Sequence, residues 1–166
     1  MELIVKRAAP DDAAELLAYL KQVGAETDNL TFGGDGLPIS VEGERAYLAG
    51  LEKSQDGALL VAKVDGKIAG SASLDRLPRR MRHRGELGIT VAKAYWNRGI
   101  GRQLLREIIA LGKENGLERI DLQVRSDNLR AIHLYEAFGF QKYAVYPGFF
   151  RIGEELIDFD FMYLVL

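Results

Sequence analysis

The stretch from Glu86 to Leu105 constrains the possible folds of this 166-residue chain more than any other feature. It begins with the apolar residues of a strand, passes through a short polar turn and enters a helix at the step Gly99-Ile-Gly101. Glycines leave backbone N–H groups open to a ligand, and the start of a helix adds unpaired donors and a partial positive charge. The stretch therefore predicts an anion site, of the kind that holds phosphate or pyrophosphate.

Composition excludes several classes of function. The net charge is only −2, so we expect no strong attraction to nucleic acid or to an anionic membrane. The chain has no cysteine and two isolated histidines, which argues against disulfides, a metal site and a cysteine nucleophile. Its first residues are too charged for a signal peptide, and no apolar run approaches the ~18 residues that cross a bilayer. We therefore expect a cytoplasmic enzyme or binding module that forms a single domain over residues 1–166.

Hydrophobic periodicity and turn signals predict the element order β-α-α-β-β-β-α-β-α-β-β. Asp12-Ala-Ala-Glu15 is interpreted as a capping box at the first helix, and Asp65-Gly66 as a hairpin turn. The crossover through the third helix should be right-handed and should place its two strands parallel in a mixed sheet. The predicted strands are 3–5, 57–64, 67–74, 86–91, 119–124, 141–146 and 155–166, and the predicted helices are 12–23, 40–53, 99–115 and 128–138.

The step Gly99-Ile-Gly101 does not identify its anion by itself. A nucleoside triphosphate loop needs Lys-Ser or Lys-Thr after its last glycine, whereas Arg102-Gln103 follows here. A dinucleotide site needs a third glycine, where this chain has Leu104, and an acidic residue near the end of the next strand, where Asp121 comes too early. A tight helix entry without any ligand remains open at this point.

The segment Asn128-Leu-Arg-Ala-Ile-His-Leu-Tyr-Glu-Ala-Phe-Gly-Phe140 follows the next predicted strand. Together with Glu86–Leu105 it resembles the GNAT superfamily of acetyl-CoA-dependent N-acetyltransferases. The resemblance implies an α+β (mixed α/β) acyl-CoA N-acyltransferase fold, with a central, mixed, mostly antiparallel, seven-stranded sheet flanked by about four helices. It further implies acetyl transfer from acetyl-CoA to a primary amine of a small molecule or peptide. A non-catalytic acyl-CoA-binding or sensing module is the alternative, and a homodimer is an expectation at the level of the family.

The resemblance also implies where coenzyme A binds. Backbone groups of the strand before the loop would hold pantetheine and the acetyl carbonyl, where this strand splays from the next, and the loop would hold the pyrophosphate. Trp96 stands where the family usually has Gln or Arg, and we expect it to pack at the base of the loop. Gly88 is interpreted as a bulge in the strand. The residues expected to bind the cofactor are Ile89, Thr90, Val91, Asn97, Arg98, Gly99, Ile100, Gly101, Arg102, Asn128 and Tyr135.

Two residues are candidates for the chemistry. Tyr135 follows Asn128 by seven residues and therefore shares its helix face; in the family a tyrosine here acts as general acid beside the cofactor sulfur. An alkyl ammonium has a pKa of about 10.4, and lowering it by ~3 units requires about 4 kcal/mol, which desolvation and a base can supply. Glu86 matches a strand position that often carries a water-mediated base in the family. Pairing of Glu86 with a nearby arginine is the alternative.

The acceptor amine is expected to meet the loop 24–38 and the segment 146–151. Glu26 and Asp28 are candidates to receive a cationic amine, and Tyr146 belongs to a set of aromatics that would either wall a pocket or pack under loops. Five arginines between Arg76 and Arg84 would suit an acidic partner, although a charged hairpin tip is the commoner explanation. The acidic residues favour a cationic acceptor and the arginines favour an acidic partner, so the sequence does not identify the acceptor.

Overall fold

Seven strands and four helices make up the protein, which a computed structural model describes from residue 1 to residue 166. Their order along the chain is the order predicted from the sequence. The strands are β1 (Leu3–Arg7), β2 (Gly57–Val64), β3 (Lys67–Arg76), β4 (Arg84–Val91), β5 (Arg119–Arg125), β6 (Gln141–Ile152) and β7 (Glu155–Val165). The helices are α1 (Ala13–Glu26), α2 (Val41–Glu52), α3 (Ile100–Glu114) and α4 (Leu129–Ala137).

All strands belong to one sheet in the order β1-β2-β3-β4-β5-β7-β6. Neighbouring strands are antiparallel except β4 and β5, which are parallel and are joined by the crossover through α3. This mixed, mostly antiparallel sheet confirms the fold class expected from the sequence.

The two parallel strands pair over only three residues. Arg84 to Glu86 on β4 lie beside Arg119 to Asp121 on β5. Beyond this point β4 continues on its partner β3, while β5 continues on its partner β7. Because the two strands no longer bond to each other, a wedge opens between their C-terminal ends. The splay implied by the family resemblance is therefore present.

Each face of the sheet carries its own apolar core. On one face α3 inserts Leu104, Leu105 and Ile108, all fully buried, and α4 packs beside it. Burial of each such side chain stabilises the fold by about 1.5–3 kcal/mol. On the other face α1 and α2 cover the sheet through Leu16 and Leu48. The wedge thus lies between two layers of helices. None of the four helices is both long enough and apolar enough to span a lipid bilayer.

The predicted capping box at Asp12 is wrong. The backbone of Asp12 is already helical, and its carboxylate accepts from the Ala9 N–H at 2.8 Å rather than from the first turn of α1. It also pairs with Lys6 at 2.6 Å and with Lys63 at 2.8 Å. Burial by itself would raise the pKa of Asp12, but these hydrogen bonds lower it to about 2. Glu15 instead accepts from the Ile68 N–H at 2.7 Å, so both acids join α1 to the sheet.

The predicted bulge at Gly88 is also wrong. Pairing between β3 and β4 runs without interruption, and Gly88 lies opposite Ser73. A Cβ at Gly88 would lie 3.0 Å from the Ser73 Oγ, so the glycine prevents crowding on a regular strand. The first helix extends past its predicted end because Gly24 lies against the following loop. A Cβ at Gly24 would lie 2.2 Å from the Gly33 carbonyl oxygen.

Candidate active site

A cleft of about 1280 Å³ extends from the wedge between β4 and β5 to the space under α1 and α2. One end is bounded by the loop before α3 and by α4. The other end is bounded by α2, by the loop that follows α1 and by β6. Every residue expected to bind the cofactor lines this cleft except Arg98, whose guanidinium lies 5.5 Å from the ring centre of Tyr95.

The loop before α3 presents unpaired backbone donors to this cleft. No N–H group of residues 97–102 donates to a backbone acceptor, and the first such bond runs from the Gln103 N–H to the Gly99 carbonyl at 3.0 Å. Asn97 and Gly99 both have a positive φ, of 62° and 80°. At Gly101 a Cβ would lie in ordinary contact with Leu134 of α4, 3.4 Å away, so α4 passes directly beside the first turn of α3. Free donors at a helix start are what an anion site requires, so the geometry is compatible with the anion site that the sequence predicts.

Trp96 anchors this loop from below. Its indole N–H donates to the Val91 carbonyl at the end of β4, at 2.8 Å. The guanidinium of Arg130 on α4 lies 4.3 Å from the centre of the indole ring, which is a cation–π contact. The side chain therefore packs at the base of the loop, as expected, and also connects the loop to β4 and α4.

Tyr135 lies at the wall of the cleft and is 7% exposed. Its ring packs against Phe140 with the ring centres 5.7 Å apart. Burial raises the pKa of its hydroxyl, so Tyr135 stays protonated at neutral pH. Asn128 caps α4 by accepting from the Ala131 N–H at 3.4 Å, and it lines the same cleft. The geometry thus places a neutral phenol beside the wedge.

Glu86 lies where β4 and β5 begin to diverge, and its side chain is exposed. It does not line the cleft and forms no ion pair, because the nearby Arg84 pairs with Asp121 instead. Its partner across β3 and β4 is Asp75. The pKa of Asp75 is raised first by burial and then by the charge of Glu86. The role of Glu86 as a base stays a prediction.

Sequence reasoning missed a row of hydroxyls at the floor of the cleft, where Ser71 and Thr90 line the cleft and Tyr19 lies buried behind them. The Tyr19 hydroxyl lies 2.8 Å from the Thr90 Oγ1, which lies 3.0 Å from the Ser71 Oγ. Burial raises the pKa of Tyr19, so it too remains protonated. Tyr19 was not distinguishable from an ordinary core residue on the apolar face of α1. The alternation of Ser71 and Ser73 with small apolar residues was the available signal, since it puts polar groups on one face of β3.

Sequence reasoning also missed Glu44 on α2. Its side chain lines the cleft and is 3% exposed, yet it forms no ion pair and no side-chain hydrogen bond. Burial raises the pKa of this carboxyl. Tyr47, one turn later, also lines the cleft. The signal was available in the helical periodicity, because Glu44 shares one face of α2 with Leu48 and Leu51.

The residues expected to meet the acceptor are spread over three places. Glu26 lines the cleft, but its carboxylate accepts from the Lys93 N–H and from the Gln22 side chain, each at 2.8 Å. Asp28 lines a smaller neighbouring pocket of about 410 Å³. Tyr146 lines neither space and is 53% exposed. The aromatics of the set that do line the cleft are Phe32, Phe149 and Phe150.

The arginines between β3 and β4 serve the hairpin itself. Arg76 and Arg82 both pair with Asp56, at 3.2 and 2.9 Å, and Arg84 pairs with Asp121. The other two are exposed at the turn. None of the five lines the cleft. A charged hairpin tip therefore accounts for this cluster.

A splayed pair of parallel strands beside free donors at a helix start defines the class of acyl-CoA-dependent transferases that the sequence suggested. The family model described as "Acetyltransferase (GNAT) family" matches residues 15–140. The chain belongs to this family, whose members are N-acetyltransferases that take the acetyl group from acetyl-CoA. This confirms the family, the reaction class and the cofactor expected from the sequence.

Solved structures agree with this assignment. The GNAT-family acetyltransferase from Streptococcus pneumoniae is 36% identical, with a TM-score of 0.96 over 99% of this chain and 100% of that chain. The yncA structure from Salmonella typhimurium, which contains its cofactor acetyl-CoA, is 21% identical with a TM-score of 0.85 over 98% of this chain and 93% of that chain, and shares the fold.

Curated relatives match over shorter stretches. The L-amino acid N-acetyltransferase AaaT of Escherichia coli is 38% identical over 99 residues, which are 54% of this chain and 60% of that protein. The N-alpha-acetyltransferase RimI of Mycobacterium tuberculosis is 37% identical over 93 residues, which are 55% of this chain and 57% of that protein. The chain thus spans less than two thirds of the length of these relatives, and the two act on different kinds of acceptor.

Proposed function

We propose that this protein transfers the acetyl group of acetyl-CoA to a primary amine of a small molecule or peptide by direct attack. The observation that carries the proposal is the row of unpaired N–H groups at residues 97–102, at one end of a cleft that also holds a buried tyrosine hydroxyl. Such donors fit a pyrophosphate, and the divergence of β4 from β5 leaves room for a narrow pantetheine arm beside β4.

The proposed contacts follow the length of the cofactor. Residues 97–102 hold the pyrophosphate, and the side chain of Arg102 adds a positive charge there. Ile89, Thr90 and Val91 offer the backbone of β4 to pantetheine and to the acetyl carbonyl. Asn128, which already caps α4, lies on the opposite wall of the wedge. The cofactor supplies a thioester whose carbonyl carbon is open to an amine.

Two side chains of the protein then transfer the protons that the reaction requires. The amine nitrogen forms the new C–N bond as the C–S bond breaks, so the amine must lose a proton and the leaving sulfur must gain one. Tyr135 is protonated at neutral pH and gives its proton to the sulfur. Glu86 takes the amine proton through water, since it lies at the point where the wedge begins. Tyr135 recovers its proton from solvent after release of the products.

A sensing module that binds acyl-CoA without turnover is the competing function. The observation that favours the enzyme is the Tyr135 hydroxyl, which lines the cleft although burial is the sole influence on its pKa and no protein group bonds to it. A binding module has no need of a free proton donor there. The structure offers no comparable observation in favour of the sensor.

The test of this function separates binding from chemistry. Calorimetry measures coenzyme A binding, and thiol release from acetyl-CoA measures transfer across a panel of primary amines. Tyr135→Phe should retain coenzyme A affinity and lower kcat by about 10²–10⁴-fold, which is the usual range for a general acid. Tyr143→Phe, an exposed change on β6, is the matched control and should leave kcat unaltered.

Each outcome bears on a different part of the proposal. A Tyr135→Phe protein with the kcat of the wild type would exclude Tyr135 as the acid. Coenzyme A binding without turnover of any amine would support the sensor. A protein that does not bind coenzyme A would contradict both functions.

A further inference from the structure

The unpaired carboxylate of Glu44 is the strongest feature of the cleft that the proposed reaction does not use. Three carboxylates line the cleft, and two of them have partners in the protein. Glu26 accepts from Lys93 and Gln22, and Asp127 pairs with Arg125 at 2.7 Å. Glu44 has none, although it is the most buried of the three. A buried charge without a partner is costly, so a cation from outside the chain is the natural partner.

Acidic residues near Glu44 make this end of the cleft more negative and so favour the binding of a cation. Asp75 follows Ser73 by two residues on β3, so its side chain lies on the face of the sheet that carries the cleft, as Glu44 does. Both carboxylates raise the pKa of Tyr47 by their charge, after the effect of burial. Asp75 in turn lies opposite Glu86. No lysine lines the cleft, and its arginines lie on α3, on α4 and at the end of β5, where the cofactor is proposed to bind. The end of the cleft under α2 is therefore negative.

The walls around Glu44 are apolar. Aliphatic and aromatic side chains of α1, α2, β2 and the loop between the two helices share this end of the cleft with it. An acceptor that fills the space must therefore carry an apolar body as well as a cation, because apolar surface is stabilised only against apolar surface. The residues concerned are Leu20, Val23, Leu37, Ile39, Tyr47 and Leu59.

A continuous floor joins this end of the cleft to the acetyl-binding strand. Ser73 on β3 and Gly88 on β4 are register partners, and both line the cleft, as do Ser71 and Thr90, the next pair on the same face of the sheet. Gly88 has no side chain to separate the two ends, and a Cβ there would lie 3.0 Å from the Ser73 Oγ. An amine near Glu44 thus has an open path to β4.

We propose that the carboxylate of Glu44 receives the ammonium group of the acceptor as it enters the cleft, before the amine loses its proton and moves along the floor to the thioester beside β4, and that the acceptor is a primary amine on an apolar body without a carboxylate beside the amine. This inference rests on the proposed function and adds the substrate class and the residue that selects it. The carboxylate of a free α-amino acid would lie near Glu44, Asp75 and Glu86, whose negative charges would repel it. The same negative charges attract the ammonium group of an amine that lacks a carboxylate.

The experiment compares 2-phenylethylamine with phenylalanine as acceptors. The wild-type protein should have a kcat/KM at least tenfold higher for 2-phenylethylamine. Glu44→Gln should raise the KM for 2-phenylethylamine by about 10- to 100-fold, the usual worth of a hydrogen bond to a charged group, with a smaller change in kcat. Glu44→Asp should recover part of this loss. Glu42→Gln, an exposed change on the same helix, should leave both constants unaltered.

Binding measurements keep this inference separate from the proposed function. Calorimetry on the coenzyme A complex should detect 2-phenylethylamine with the wild type and not with Glu44→Gln, whether or not the amine is acetylated. The affinity of Glu44→Gln for coenzyme A reports on its folding and should equal that of the wild type. An unchanged KM or amine affinity in Glu44→Gln would overturn the role of Glu44. A preference for phenylalanine, or no binding of either amine, would overturn the substrate class.

Discussion

The indole of Trp96 makes two contacts that hold the phosphate loop in place. Its N–H donates to the Val91 carbonyl, and its ring lies under the guanidinium of Arg130. The first contact joins the loop to β4 and the second joins it to α4, so a single side chain spans the base of the wedge. At the scale of one residue, the loop therefore depends on a side chain that need not touch the ligand.

The change Trp96→Phe tests this role. Phenylalanine keeps an aromatic ring near Arg130 but cannot donate to the Val91 carbonyl, so the free energy of unfolding should fall by about 0.5–1.5 kcal/mol. Coenzyme A affinity should fall severalfold because the loop donors are less well held. Urea denaturation and calorimetry measure the two effects. An unchanged coenzyme A affinity together with an unchanged free energy of unfolding would show that the indole bond has no role.

The first turn of α3 is the element on which the proposed cofactor site depends. Gly99 and Gly101 carry no side chains that could cover its N–H donors, and both residues line the cleft. The amphipathic remainder of the helix packs on the sheet and fixes the position of that turn. One element thus combines an apolar anchor with a polar binding end.

The change Gly101→Val tests the element. A Cβ at Gly101 would lie in ordinary contact with Leu134, 3.4 Å away, so the branched side chain of valine should occupy space beside the loop donors and lower coenzyme A affinity at least tenfold. Gly50→Val, in an α2 position with nothing within 4 Å of the added Cβ, is the matched control for valine in a helix. Calorimetry should detect the loss in the first protein alone. Equal affinities in the two would contradict a close approach of the ligand at Gly101.

At the scale of the whole molecule, partly buried ion pairs connect the helical layer to the edge of the sheet. Asp12, just before α1, pairs with Lys6 on β1 and Lys63 on β2. These contacts fix α1 against the strands, and α1 in turn places the Tyr19 hydroxyl against Thr90, which lines the cleft. The site on one side of the molecule therefore depends on packing that begins at the other.

The pH dependence of stability tests these pairs. The pKa of Asp12 is about 2 in the folded protein and 3.8 in its ordinary state, so folding favours the charged carboxylate. The resulting stabilisation, about 2 kcal/mol, should be complete above about pH 5 and should disappear as the pH falls from 4 to 2. Asp12→Asn should lose this component, and the exposed change Asp11→Asn should retain it. If the free energy of unfolding had the same pH dependence from pH 2 to 6 in the wild type, Asp12→Asn and Asp11→Asn, the Asp12 ion pairs would not be its source.

Much of the architecture was predictable because its signals are local. Periodicities of two and 3.6 residues identify strands and helices within a few positions of each other, and the predicted element order agrees with the structure. Ends were harder to predict. Gly24 was interpreted as the end of α1, but it continues the helix because the following chain passes within contact distance of it. A contact between segments that are separate in the chain cannot be recognised from the local sequence pattern.

The roles proposed within the site also divide into those set by local sequence and those set by tertiary packing. The step Gly99-Ile-Gly101 offers only backbone groups to its proposed ligand, and the spacing of Asn128 and Tyr135 is a property of one helix, so both features follow from the sequence by itself. Glu26, Glu86 and Glu44 are the same type of residue, so the sequence by itself does not distinguish between them. Packing of α2 over the sheet decided which of them is buried without a partner, because desolvation depends on everything that surrounds a group in space and hardly on its neighbours in the chain. Only the tertiary structure distinguishes Glu44.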